Sequence, residues 1–250
     1  MERRNIRIIL AYDGTDFVGW ERQASGRSVQ GVVEAALSEL HGHPVDVTVA
    51  GRTDAGVHAL AQVVNFHSDS SVPDGRFPYA LNSLLPADVR ALHSDRVADS
   101  FHARFDAKAR TYRYQMSTSE FESPFERRFS WHLRRGPRLD SLNALAGVLV
   151  GTHDFSTFTA AGDTSNSRVR DLYSASFYWT AGYLVFRVCA NAFLYRMVRS
   201  LLGTLLDLEA RAASPAELRE ILAGGERDSA GPTAPAHGLF LEGVSYDAAR

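Results

Sequence analysis

The chain has 250 residues, 45% of them hydrophobic and 22% charged, with a formal net charge of -2, which suits a folded protein with a sizeable core, as one large domain or two ordinary ones. Its longest apolar runs, such as YLVFRVCANAFLY, are broken by Arg187, Asn191 and Arg196 well short of a membrane span, and MERRNIRIIL lacks an apolar signal core, so a cytoplasmic protein without membrane contact is expected. The single cysteine, Cys189, excludes an intramolecular disulfide and a cysteine-built zinc site, and its strand-like surroundings predict a buried thiol.

In chain order, NIRIILAY reads as a strand and DGTDFVGWERQASG as a glycine-punctuated loop. Ser28 can then cap a helix running through His41, with Val29, Val32, Val33, Ala36, Leu37 and Leu40 on its apolar side. VDVTVA and LAQVVNFH are strands on either side of the stretch AGRTDAGVHA. RFPYALNSLL is a helix stopped by Pro86, and DVRALHSDRV is extended. The second half opens with the strand RTYRYQM and an arginine-rich loop. The helix SLNALAGVLV follows, with Asp140 as its cap and Gly151 just past its end. The strands VRDLYSASFYW and YLVFRVCA are joined through Ala181 and Gly182. A long helix is expected from about Phe193 to Leu208, and a short one opens at SPAE, where Ser214 is the cap, Pro215 sits in the first turn and Glu217 at the third position. Strands flank one or two amphipathic helices in each half. This pattern predicts an α+β protein of two similar subdomains, residues 1–105 and 106–250, each a mostly antiparallel sheet with flanking helices, and a site in the cleft between them.

Three stretches could carry chemistry. In AGRTDAGVHA, Gly51 and Gly56 can relax the backbone around Asp54 and hold its carboxylate at a strand end, with Arg52 near enough to keep it ionised. Taken locally, TDAG reads first as a polar Asx-type turn. A metal site on Asp54 and His58 has no third ligand nearby, since His67, His93 and His102 are scattered, and no metal is expected. No glycine-rich phosphate loop or serine nucleophile elbow is present. In FHARFDAKARTYRYQM, Arg104, Lys108, Arg110 and Arg113 interleave with Phe101, Phe105, Tyr112 and Tyr114. That suits an unstacked RNA base, though a sheet with an aromatic core and a solvated basic edge would read the same way. From Phe101 to Arg138 there are nine basic residues against four acids, whereas Asp207 to Asp228 holds six acids and three arginines; a basic face and an acidic flank follow. In NAFLYRMVRSLLGTLL, Phe193, Met197, Leu201 and Leu205 form an apolar stripe at helical spacing, widened by Leu194, Val198 and Leu202. Arg196 and Arg199 lie on its edge, where an arginine needs a partner, and Asp54 is a candidate.

Together these stretches resemble the tRNA pseudouridine synthase A family. The motifs are YDGTDFVGW, AGRTDAGVHALAQVVNF, FHARFDAKARTYRY, NAFLYRMVRSLLG and GPTAPAHGLFL, and they occur in the family's order from one end of the chain to the other. The resemblance implies a pseudouridine synthase-like fold. It also implies an enzyme that converts uridine to pseudouridine at tRNA positions 38, 39 and 40, on the 3′ side of the anticodon stem-loop, as a homodimer without a cofactor. It implies that Asp54 is the catalytic aspartate, that Arg52 helps displace the target base, that Tyr112 contacts the bound uridine and that Arg199 pairs with the carboxylate. Arg196 is a further candidate substrate contact, and because the detached uracil must stay in the pocket while it turns, GLFL, with Leu239, is a candidate apolar wall. Glu21 in GWERQ stands where the family commonly has glutamine. Without the resemblance, the basic and aromatic interleaving alone fits a non-catalytic RNA-binding module.

Overall fold

A computed structural model describes residues 3–247. In chain order these form β1 (Arg4–Tyr12), α1 (Val29–His41), β2 (Thr48–Val49), β3 (His58–Ser68), α2 (Phe77–Asn82), β4 (Val89–Arg96), β5 (Ala109–Ser117), β6 (Trp131–His132), α3 (Leu139–Ala146), β7 (Gly151–Asp154), β8 (Val169–Thr180), β9 (Tyr183–Ala190), α4 (Met197–Ala210), α5 (Pro215–Gly224) and β10 (Leu239–Ser245). They belong to two compact units. The first runs up to Lys108 and takes in the segment from Phe240; the second is Ala109–Leu239. Both are mostly antiparallel sheets with flanking helices, the α+β class expected.

In the first unit the strand order is β4, β1, β3, β10. β1 pairs antiparallel with β3 and β4, and β10 joins β3 in parallel through Phe240 opposite His58. Ile6, Ile8, Leu10 and Tyr12 alternate into the core as a half-buried strand requires. α1 covers that core with Val29, Val33, Ala36 and Leu37, while Val32 and Leu40 are only half-buried. Ser28 caps α1 by accepting from Gly31 N, and Gly42, at φ 74, ends it in the left-handed region. Two elements are shorter than their sequences suggest: β2 keeps only Thr48–Val49 of VDVTVA, and α2 ends at Asn82. Asn82, the last helical residue, bonds with its side chain both the N–H and the C=O of Ala91 on β4, which ties the helix end to that strand.

In the second unit the order is β5, β9, β8, β7, all antiparallel, with β6 beside β5. Tyr112, Tyr114 and Met116 share the buried face of β5. Ala181 and Gly182, at φ 48 and 84, make the tight hairpin between β8 and β9. Ser214 caps α5 as expected, accepting from Glu217 N.

Three expectations need correction in this unit. The cap of α3 is Arg138, not Asp140, because Arg138 N and Nε both bond Oε1 of the buried Glu209 on α4. That tertiary anchor sets the helix start, and Asp140 falls exposed in the first turn. α4 begins at Met197 rather than Phe193. Tyr195 N donates to Asp163 Oδ2 at 2.6 Å, Ala160 N donates to Tyr195 O at 3.1 Å, and Arg196 adopts φ 58, so Phe193 to Arg196 are not helical. Cys189 is half-buried rather than buried.

Candidate active site

β2 leads into the stretch AGRTDAGVHA, and Ala50 N donates to Val63 O as the chain leaves the sheet. Val57 N donates to Asp54 O at 3.1 Å, and Gly56, third in this four-residue turn, has φ 76, the mark of a type II turn. Gly56 therefore does the bending; Gly51 has an ordinary φ, and a Cβ there would meet nothing within 4 Å. Arg52 is exposed, Thr53 buried and Asp54 half-buried.

The loop YDGTDFVGW is laid over this turn. Gly19, at φ 113, bridges Asp54 in antiparallel fashion, and Trp20 N donates to Thr53 O at 2.9 Å. A Cβ at Gly19 would lie 2.9 Å from Thr53 O, and one at Gly14 only 2.0 Å from Val57 O, so both positions need glycine for the two segments to touch. The loop is held by its own ties: Arg27 forks onto Asp88, Arg22 pairs with the buried Glu34 of α1, and Gln23 Nε2 donates to Val18 O.

A buried polar network lies beneath the turn. Tyr12 OH and Thr53 Oγ1 are 2.8 Å apart, and Gln62 Nε2 donates to Gly51 O at 2.7 Å and to Tyr12 OH at 3.3 Å. Tyr12, Thr53 and Gln62 are at most 7% exposed. Burial pushes the Tyr12 hydroxyl up to about 12, with the bonds to Thr53 and Gln62 offsetting only part of the shift. The network clamps Gly51 and Thr53 on either side of Arg52, and Thr53 also precedes Asp54. His58, 1% exposed, has Nδ1 3.0 Å from Gly14 N and 3.2 Å from Asp13 Oδ1, and its ring stacks on Phe240 at 4.7 Å. It packs and orients the loop. Among the described residues no group of three or more His, Cys, Asp or Glu gathers as metal ligands would.

Of the residues singled out in the sequence, Arg52 and Asp54 lie in the first unit, and Tyr112, Arg196, Arg199 and Leu239 in the second. Tyr112 is 8% exposed, with its ring edge-on to Phe193 at 5.1 Å. Arg110, equally buried, donates to Asn191 O at 2.7 Å and ties the segment after β9 to β5. Arg196 is exposed, its guanidinium over the Tyr195 ring at 4.9 Å; it precedes α4 and does not share a helical edge with Arg199. Arg199, half-buried on α4, donates from Nε to Ala234 O at 2.7 Å, and Ala234 N returns a bond to Arg199 O.

The segment GPTAPAHG is thereby stapled to its unit. Gly203 and Pro232 O are so close that a Cβ on the glycine would sit 1.7 Å from that oxygen, and Gly231 N donates to Thr204 Oγ1. Tyr114 OH donates to Pro235 O at 2.8 Å; burial pushes that hydroxyl far above its ordinary range, and the nearby Arg199 charge only tempers the shift. Burial likewise holds His237 below the ordinary histidine range, with Glu122 and the Ser130 carbonyl opposing. Leu239, 5% exposed, opens β10.

Sequence reading passed over the Tyr12–Thr53–Gln62 network, the close approaches of Gly14 and Gly19, and the bonds between Arg199 and Ala234. Tyr12, Gly14 and Gly19 all fall within YDGTDFVGW, but nothing in that stretch says what they touch.

A family model described as tRNA pseudouridine synthase matches residues 8–106 and 145–247. Proteins named tRNA pseudouridine synthase A are similar over almost the whole chain. The one from Treponema denticola is 44% identical, covering 98% of this chain and 93% of the relative; that from Moorella thermoacetica is 45% identical, covering 96% and 99%. The Bacillus pumilus protein is 41% identical over 97% of this chain and 99% of its own.

Proposed function

The chain belongs to the tRNA pseudouridine synthase family and isomerises uridine to pseudouridine in tRNA, and we propose that Asp54 is the carboxylate that carries the reaction. The observation behind this choice is the mounting of Asp54. It opens a type II turn, is bridged to Gly19 on one side, and follows a threonine clamped by buried Tyr12 on the other. A half-buried carboxylate on so constrained a backbone is preorganised for chemistry rather than free to sample solvent.

The isomerisation breaks the C1′–N1 bond, turns the uracil and joins C5 to C1′; C5 gives up its proton and N1 ends protonated. No electrons enter or leave. One carboxylate suffices in either of two ways. It can attack C1′ as N1 departs with the bonding pair and be displaced when C5 attacks the same carbon, or it can take the 2′ proton to leave a glycal and return it as C5 adds. A deuterium at C2′ separates them, slowing turnover only if that bond breaks.

The proposed substrate is the 3′ side of the anticodon stem-loop, whose target base must leave the stack at a cost of a few kcal/mol. Stacking on an aromatic ring returns roughly 1 to 3 kcal/mol, and Tyr112 is the ring assigned to this. Arg52, exposed beside Asp54, is assigned to displacing the target base. Arg199 is assigned to the charge of the carboxylate, Arg196 to the RNA and Leu239 to the apolar wall. Residues 1–105 would supply the aspartate, and 106–250 the basic loop and the apolar wall. The proposal includes a homodimer, as the family resemblance implies, and a cytoplasmic location, as the short apolar runs suggest.

The test is Asp54→Asn. It should bind unmodified tRNA transcripts with unchanged affinity and form no pseudouridine, with mapping of the wild-type product locating the sites. Full activity in that variant would overturn the assignment, and tight binding with unmodified uridines in the wild type would favour a non-catalytic RNA-binding module. Arg199→Leu should lose more turnover than its midpoint of unfolding accounts for.

A further inference from the structure

Glu21 sits in the loop that covers the turn. With Gly19 bridged to Asp54 and Trp20 N bonded to Thr53 O, the same antiparallel register sets Glu21 across from Arg52. Their side chains meet: Arg52 Nη2 is 2.7 Å from Glu21 Oε1, with the two side chains 60% and 51% exposed.

The two backbones cannot drift apart. Trp20 is 1% exposed, Gly19 is wedged against Thr53 O, and Arg22 is tied to Glu34. The pair can open only by side-chain rotation. An exposed pair of this kind is weak, yet an anion reaching Arg52 must displace the carboxylate or stay beside it.

We propose that Glu21 is a positioning residue for Arg52. Its carboxylate holds the guanidinium in the free protein and is exchanged for an RNA phosphate when the substrate seats. The inference rests on the reading that Arg52 acts on bound RNA. It makes carboxylate-for-phosphate exchange a step of binding, and it cancels one cation from the charge that RNA meets on approach.

The experiment measures binding of an unmodified tRNA transcript across a range of salt concentrations in the Asp54→Asn background, adding Glu21→Gln, Glu21→Asp, Arg52→Ala and the Glu21→Gln/Arg52→Ala pair. Relief of one close like-charge contact should tighten binding about fivefold for Glu21→Gln. The salt slope should steepen by about 0.7 to 0.9, the share of one additional uncompensated cation. Glu21→Asp keeps the charge and should behave as the parent, and in the Arg52→Ala background Glu21→Gln should change nothing. With Asp54 intact, Glu21→Gln should lower KM and leave kcat in place.

Unchanged or weaker binding by Glu21→Gln would overturn the proposal, as would an equal gain without Arg52, which would mean the carboxylate repels RNA directly. Failure of the underlying reading looks different: Arg52→Ala would then leave binding unchanged in that background and turnover unchanged with Asp54 intact. Both positions are exposed, so matching thermal transitions confirm that each variant is folded.

Discussion

Tyr12→Phe tests the buried network beneath the turn that Asp54 opens. The substitution keeps the ring, packed 6.1 Å from Trp20, and removes only the hydroxyl. Two hydrogen bonds go with it, at 2.8 Å to Thr53 and 3.3 Å from Gln62. Gln62 Nε2 retains Gly51 O at 2.7 Å, so the larger loss falls on the buried Thr53 hydroxyl. One good and one long hydrogen bond plus a stranded hydroxyl amount to about 2 kcal/mol. For a chain of this size that lowers Tm by about 4 to 8 °C. Urea unfolding followed by circular dichroism measures it, with Thr53→Val and the double variant completing a cycle whose coupling should be about 1 kcal/mol. Thr53 also separates Arg52 from Asp54, so pseudouridine formation per folded molecule should fall. The pH dependence supplies an independent check. The folded protein holds the Tyr12 proton up to about 12, the unfolded chain only to about 10, so the wild type loses stability as pH rises through that window. Phenylalanine has no such loss, and the two stability curves should converge between pH 10 and 12. An unchanged midpoint at neutral pH, strict additivity in the cycle, or parallel curves in alkali would refute the reasoning.

Gly203→Ala places a methyl 1.7 Å from Pro232 O, between backbone atoms on both sides, and should cost about 3 kcal/mol or more in urea unfolding while loosening the Arg199–Ala234 bonds. Glu209→Gln should destabilise by about 1 to 3 kcal/mol at neutral pH, because the buried carboxylate accepts from Arg135 and twice from Arg138. Burial raises the Glu209 pKa, but the Arg138 and Arg135 bonds outweigh it and hold the carboxyl below its ordinary range. That stability is present above the unfolded carboxylate range and lost as pH falls through the folded one, so variant and wild type should meet in acid. Arg127→Ala and Arg134→Ala, both exposed in the basic loop, should weaken tRNA binding, lower the salt slope by less than about one each and spare the single-turnover rate. Arg135 and Arg138 would confuse that experiment, since they also anchor Glu209.

Much of the fold and of the motif is legible in the chain. Ser28 and Ser214 act as caps, Ala181 and Gly182 turn a hairpin, and the alternation through Tyr112, Tyr114 and Met116 marks the buried face of β5. Two of the errors share one cause. Asp140 is a sound local cap, yet Arg138 prevails because its partner Glu209 comes from another helix. Phe193 continues a helical stripe, yet Asp163 and Ala160 claim the polar groups of Tyr195 and α4 starts later.

What the sequence determined by itself is whatever a few neighbouring residues can decide: caps, tight turns, the alternation of a strand and the presence of Asp54 in a bend. Tertiary structure decided the rest, namely that Gly14 and Gly19 lie against the turn, that Tyr12 and Gln62 clamp it, that Glu21 faces Arg52, and that Phe240 in β10 lies beside His58. The reason is that buried polar groups such as Tyr12 and Gln62, and segments that pack as closely as Gly14 and Gly19, meet partners far along the chain, where spacing carries no trace of them.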